Sequence, residues 1–305
     1  VQPVSCDRAG FTKLCEDANL SWLKVAYVWH IAPPDKETSG PYPRKQDLPR
    51  GACYHGLPPR DDPDTRQRVR RFVVTYPWAS QCHPSPSGRK MHELAEQLEE
   101  LKAKPTDAVI MDFCSLPQHL ECDAGELKGT AESHRIYREK LQLDEGDGKA
   151  MILKRTPVEE RQFKVALSEM TRLYCFKDCE VIVLPRVEDA ADFPGGKNAW
   201  GAINAREYKL RGWAFTEFST ARIARRIVNK SDSDVRKLLD DKDHWPNDLI
   251  AYSDKMKERT DELDEEGQKQ DLIRFTAKGD REKVKYIFFR MAYDVTGRRA
   301  KRAPQ

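Results

Sequence analysis

Three short runs of β-branched and aromatic residues, Arg71 to Tyr76, Asp107 to Phe113 and Cys179 to Leu184, punctuate the middle of the chain, with helical stripes between them. That alternation constrains the fold more than any other feature. Runs of this length closed by turn residues read as buried strands. Between the first two, Met91, Leu94, Leu98 and Leu101 recur at spacings of three and four, the apolar stripe of a helix that Pro105 ends. A strand, a helix and a strand in about 40 residues demand a parallel pair with a crossover helix. Phe163, Leu167, Met170 and Tyr174 form a second stripe, opened by Pro157, Glu159 and Glu160. After the third strand, Tyr208 to Phe218 runs into a helix that continues through Ile227. The sequence therefore predicts an α/β domain over residues 71–230, an open parallel sheet with helices on both faces.

The flanks read differently. Residues 1–70 carry Pro33, Pro34, Pro41, Pro43, Pro49, Pro58 and Pro59, which predicts an irregular arm. Its one apolar patch, Trp22 to Trp29, suits an edge strand or a short helix. An insertion at 117–158 holds Pro117, Gly125, Gly129, Gly146 and Gly148. It far exceeds the usual two to six residues of such a connection, so it is expected to be functional, partly helical or disordered. Residues 231–305 read as a charged helical extension, with a solvated helix or linker over 254–271. A final segment follows, whose Val284, Ile287, Phe288 and Met291 dock on the core.

Composition excludes some partners. The chain sets 53 Lys and Arg against 50 Asp and Glu, a net charge of +3, so nucleic acid is not an expected partner. No apolar run approaches the ~20 residues of a membrane span, and no secretory leader opens the sequence. The chain begins at Val1, which leaves an upstream leader or domain open. Eight cysteines without a C-x-x-C pair, and seven histidines without a ligand spacing, predict reduced thiols, no metal and a cytoplasmic setting.

Three segments carry a family resemblance, in the family's order. Phe72 to Tyr76 leads through Trp78 into a loop and a helix; Val109-Ile110-Met111-Asp112-Phe113 matches a "V-F-x-D" strand; and Arg211-Gly212-Trp213-Ala214-Phe215-Thr216-Glu217-Phe218 is similar to an "S-x-W-C-x-x-E-L" segment. The stretch from about Arg71 to Ile227 resembles a Toll/interleukin-1 receptor (TIR) domain of the divergent plant, algal and protist type. The Ser115-Leu116-Pro117-Gln118 segment also resembles fungal heterokaryon-incompatibility domains. The resemblance implies a flavodoxin-like fold, self-association through the α/β domain, and NAD as substrate rather than cofactor, with Glu217 as the catalytic carboxylate. Ala214 replaces the family's cysteine, and the 117–158 insertion replaces a much shorter loop.

The chemistry fits these residue types. When the bond between nicotinamide and ribose breaks, the leaving ring is already cationic and positive charge develops on the ribose, where one carboxylate can stabilise it. Helical spacing puts Trp213 on the face of Glu217, where its indole could stack a ring. Ser87, Gly88, Arg89 and Lys90 sit where the first helix should begin and, with Arg211, would supply diphosphate donors. Tyr76 and Trp78, at the carboxyl end of the first strand, would line the same crevice. The competing expectations are a non-catalytic interaction module on the same fold and a nucleoside- or nucleotide-transfer enzyme. Asp112 also ends a strand as a phospho-acceptor does, but lacks the companion acidic pair.

Overall fold

The computed structural model describes residues 8–33, 41–80, 83–118, 120–122, 151–153, 155–194, 203–263, 269–275 and 280–289. Its centre is a mixed sheet of five strands, β1 (Ser21–Lys24), β2 (Cys53–His55), β3 (Arg71–Thr75), β4 (Ala108–Ile110) and β7 (Glu180–Val183). They lie in the order β2-β1-β4-β3-β7. The three runs read from the sequence are β3, β4 and β7, and β3 pairs in parallel with both of the others. The expectation of a wholly parallel sheet is corrected at one flank: β1 runs antiparallel to β4 and to β2.

That flank comes from the segment expected to be irregular. Residues Arg8–Asp17 form helix α1, whose Phe11, Leu14 and Cys15 are buried, and the Trp22 to Trp29 patch splits into β1 and helix α2 (Val25–Ile31). Arg71 fastens the chain before β3 by donating to the carbonyls of Pro58 and Pro59 at 2.9 and 3.1 Å. Proline density broke up long elements without keeping short ones out of the sheet, because β1 is proline-free and has its ladder satisfied on both sides.

Alternation along β3 divides the core. Val73 packs on one face with Trp22, Val183, Phe215 and Phe218, whereas Phe72 and Val74 pack on the other with Met91, Leu94 and Leu98 of α3 (Arg89–Glu100). The second crossover carries the Pro157–Glu169 helix and a short one, Thr171–Cys175, before β7. The longer helix starts with a capping box: Thr156 Oγ1 accepts from the Glu159 amide at 3.2 Å, and Glu159 accepts from the Thr156 amide at 2.8 Å. Beyond β7, the Asn229 side chain bonds both the amide and the carbonyl of Val183, at 3.0 and 2.8 Å, and Ile227 bridges Val181 in parallel. The free edge of β7 is thereby closed.

The C-terminal residues pack against the Gly212–Ala224 helix. Trp245 is buried beside Phe215 and Phe218, and Tyr252 stacks on Phe288 of the helical run 280–289 at 3.6 Å. The 254–271 stretch, expected as a solvated helix or linker, instead contains a two-stranded pair, β8 (Arg259–Leu263) and β9 (Lys269–Asp271). Opposite charges meet across it, with Arg259 on Asp271 and Lys269 on Asp261. Two further short strands, β5 (Leu120–Cys122) and β6 (Met151–Leu153), pair antiparallel at the base of the insertion. The expectation for the interior of the insertion, 123–150, lies outside the described residues.

Candidate active site at the carboxyl end of the first parallel strand

Strand β3 ends at Thr75, whose side chain is fully buried. Its hydroxyl lies 2.6 Å from Glu217 Oε2, to which it donates, and 2.8 Å from the Tyr208 hydroxyl. Glu217 stands mid-way along the Gly212–Ala224 helix, part-buried, and so reaches the sheet at its carboxyl edge. Tyr174, which donates to the Val74 carbonyl at 3.2 Å, stands beside Glu217. Burial pushes the Glu217 carboxyl up to about 8; the Thr75 bond opposes this, and the nearby charge of Asp112 adds to it. A carboxyl in this range can hold or release a proton near neutral pH.

On the other side of the strand end, the next residue along holds a second acid. Tyr76 donates to Asp112 Oδ1, Trp78 Nε1 donates to Oδ2 at 2.9 Å, and the Phe113 amide donates to Oδ1 at 2.7 Å. Burial raises the Asp112 carboxyl above its ordinary range, against the pull of those three donors. Two carboxyl groups thus flank the carboxyl ends of neighbouring strands β3 and β4.

The remaining expected site residues divide. Tyr76, Trp78 and Glu217 come together at this edge. Arg211 is buried there as well, but its guanidinium donates to the carbonyls of Arg206 at 2.7 Å, Asn204 at 2.6 Å and Trp78. It ties the helix start to two loops, and burial draws it down to about 10. Trp213 is part-buried one turn before Glu217, with its Nε1 donating to Asp280 at 3.1 Å. The start of α3 is filled from within: Ser85 and Ser87 donate their hydroxyls to Glu188, the latter at 2.7 Å, and Gly88 takes the left-handed conformation (φ 80°) at the N-cap. Lys90 is fully buried on Glu93 at 2.6 Å, and burial lowers its ammonium's pKa. Arg89 is half-exposed, 3.6 Å from Glu93 and 3.9 Å from Asp192. Of the expected phosphate donors, Arg89 alone projects toward solvent.

Thr75, Tyr174, Tyr208 and Glu188 were missed by sequence reasoning. Thr75 could have been found as the last residue of its strand. The tyrosines and Glu188 reach their partners across more than thirty residues of intervening chain, and no local pattern marks them. Among the described residues no group of His, Cys, Asp and Glu is placed to hold a metal ion, and no helix is long and apolar enough to cross a membrane. No protein-family model, curated protein or solved structure matches the chain.

Proposed function

We propose that the protein is a TIR-like enzyme that hydrolyses NAD at the bond between nicotinamide and ribose, with Glu217 as its catalytic carboxylate. The observation that carries the reading is the Thr75–Glu217 hydrogen bond, which holds a carboxyl of raised pKa at the carboxyl end of β3. The parallel strands run in the order second, first, third, and the Ile227 bridge continues in parallel beyond the third. This is how a flavodoxin-like order begins, and in such sheets ligands sit beyond the carboxyl ends where the strand order reverses. β3 and β7 flank that point, and Glu217 stands over it.

In this reading nicotinamide departs as a neutral ring, and the ribose carbon becomes electron-deficient. Ionised Glu217 stabilises that charge and takes a proton from the attacking water, giving ADP-ribose, nicotinamide and one proton. A cationic substrate beside it favours the ionised form. Following the resemblance, activity depends on self-association in the cytoplasm.

One observation favours the second reading, a non-catalytic interaction module: Glu188 already occupies the α3 start, where a diphosphate was expected. A single assay separates the two. Concentrated purified protein is incubated with NAD and released nicotinamide is measured, for wild type and for Glu217→Ala. Release by wild type and loss in the variant supports the enzyme; no release at any concentration, or equal release by both, leaves the interaction module.

A further inference from the structure

We propose that Trp78 is the platform that receives a planar cationic ring beyond the carboxyl end of β3, and that Asp112 is the positioning residue that fixes it. The inference rests on the reading of the site as one for a pyridinium nucleotide. Trp78 lies three residues past Thr75, beyond the carboxyl end of β3, and is only part-buried. Its indole is pinned along one edge by Asp112 at 2.9 Å, while Arg211 holds its backbone carbonyl. Phe113 supports the ring in an edge-on contact, with centroids 5.8 Å apart and planes at 78°.

Asp112 is itself immobilised, taking the Phe113 amide and the Tyr76 hydroxyl on its other oxygen. A ring held at its edge and through its backbone has little rotamer freedom left to lose when a ligand stacks on it. Its π face attracts positive charge, which favours a pyridinium over a neutral base. Trp213, the ring suggested by helical spacing, is instead committed to Asp280 of the C-terminal helical run. Burying the Asp112 carboxylate is costly, and the three donors that converge on it offset that cost while fixing the plane of the part-buried Trp78 indole.

The experiment is equilibrium binding to Glu217→Gln protein, which removes turnover, with NAD and ADP-ribose as probes. ADP-ribose has the same adenosine and diphosphate and no pyridinium. Trp78→Ala, or Trp78→Leu should the alanine variant fail to fold, is expected to weaken NAD roughly tenfold or more and ADP-ribose far less. Asp112→Asn is expected to weaken NAD in a Trp78 background but to add no loss to Trp78→Phe, whose ring has no N–H for Asp112 to hold. Equal loss for both probes, or no loss, overturns the platform. An Asp112→Asn effect that persists undiminished with Phe at 78 overturns the positioning role. Failure of Glu217→Gln protein to bind NAD at all overturns the functional reading and this inference together.

Discussion

The Thr75 hydroxyl donates to Glu217 across 2.6 Å, so that the last residue of the first parallel strand sets the position of an acid carried by a helix more than a hundred residues later. With burial holding that acid near 8, the ionised fraction of Glu217 rises about tenfold per pH unit below that value. The rate of nicotinamide release at low NAD concentration is expected to climb with this slope and level off above about pH 8. A flat profile between pH 6 and 8 would show that ionised Glu217 does not carry the reaction.

Thr75→Val keeps the shape of the side chain and removes the donor that favours the charged carboxyl. The Glu217 ionisation should then move upward by roughly one pH unit, the equivalent of one hydrogen bond. The rising limb of the activity profile shifts to more alkaline pH, while the plateau changes less. Nuclear magnetic resonance titration of the labelled carboxyl reads the same shift without substrate.

Glu217 also makes stability depend on pH, with a definite sign. Its folded value of about 8 lies above the 4.5 of an ordinary glutamate, so in that interval the folded protein keeps a proton that the unfolded chain has released. The stability contributed through this group therefore falls as pH rises from 4.5 toward 8. Glu217→Gln should exceed wild type by on the order of 1 kcal/mol at pH 8, and the gain should vanish near pH 4. Denaturant unfolding at the two pH values checks it.

Gly212 opens the helix that carries Glu217, and a Cβ at that position would lie 2.2 Å from the Phe275 ring. Its amide also donates to the Arg274 carbonyl at 2.8 Å. Gly212→Ala should destabilise the protein by roughly 1–3 kcal/mol through overpacking. Adding Phe275→Leu should recover much of that loss, as thermal unfolding of the single and double variants would show.

Glu188 supplies the acceptors for Ser85 and Ser87 at the start of α3, close to buried Lys90. Glu188→Ala leaves the two hydroxyls without their acceptor and should cost about 1–3 kcal/mol. Glu188→Gln, which keeps an oxygen acceptor, should cost less. Urea midpoints of the two variants test the ranking.

The parallel half of the sheet was legible because its strands are short apolar runs with their own boundaries, and its crossover helices announce themselves through Leu94, Leu98 and Phe163. The antiparallel half was not. Nothing local in Ser21–Lys24 says that Leu23 will face Val109, since pairing partners far apart in sequence leave no periodic trace. At the carboxyl end of β3, Glu217 was expected from its motif, whereas the hydrogen bonds around it arise from tertiary contacts. Lys90 and Arg211 show the limit most clearly: a cation at a helix start reads as a surface ligand until burial places it on Glu93 or on three backbone carbonyls.

Val109 pairs with Leu23 on one side and Phe72 on the other, so β4 fills a slot between two strands that both precede it in the chain. During synthesis from the N-terminus, β1 and β3 emerge first and keep facing ladder edges unsatisfied until Ala108–Ile110 arrives. A nascent chain halted before that point would present two apolar edges open to a neighbouring polypeptide. The interval between those strands is therefore the vulnerable stage in the birth of this protein.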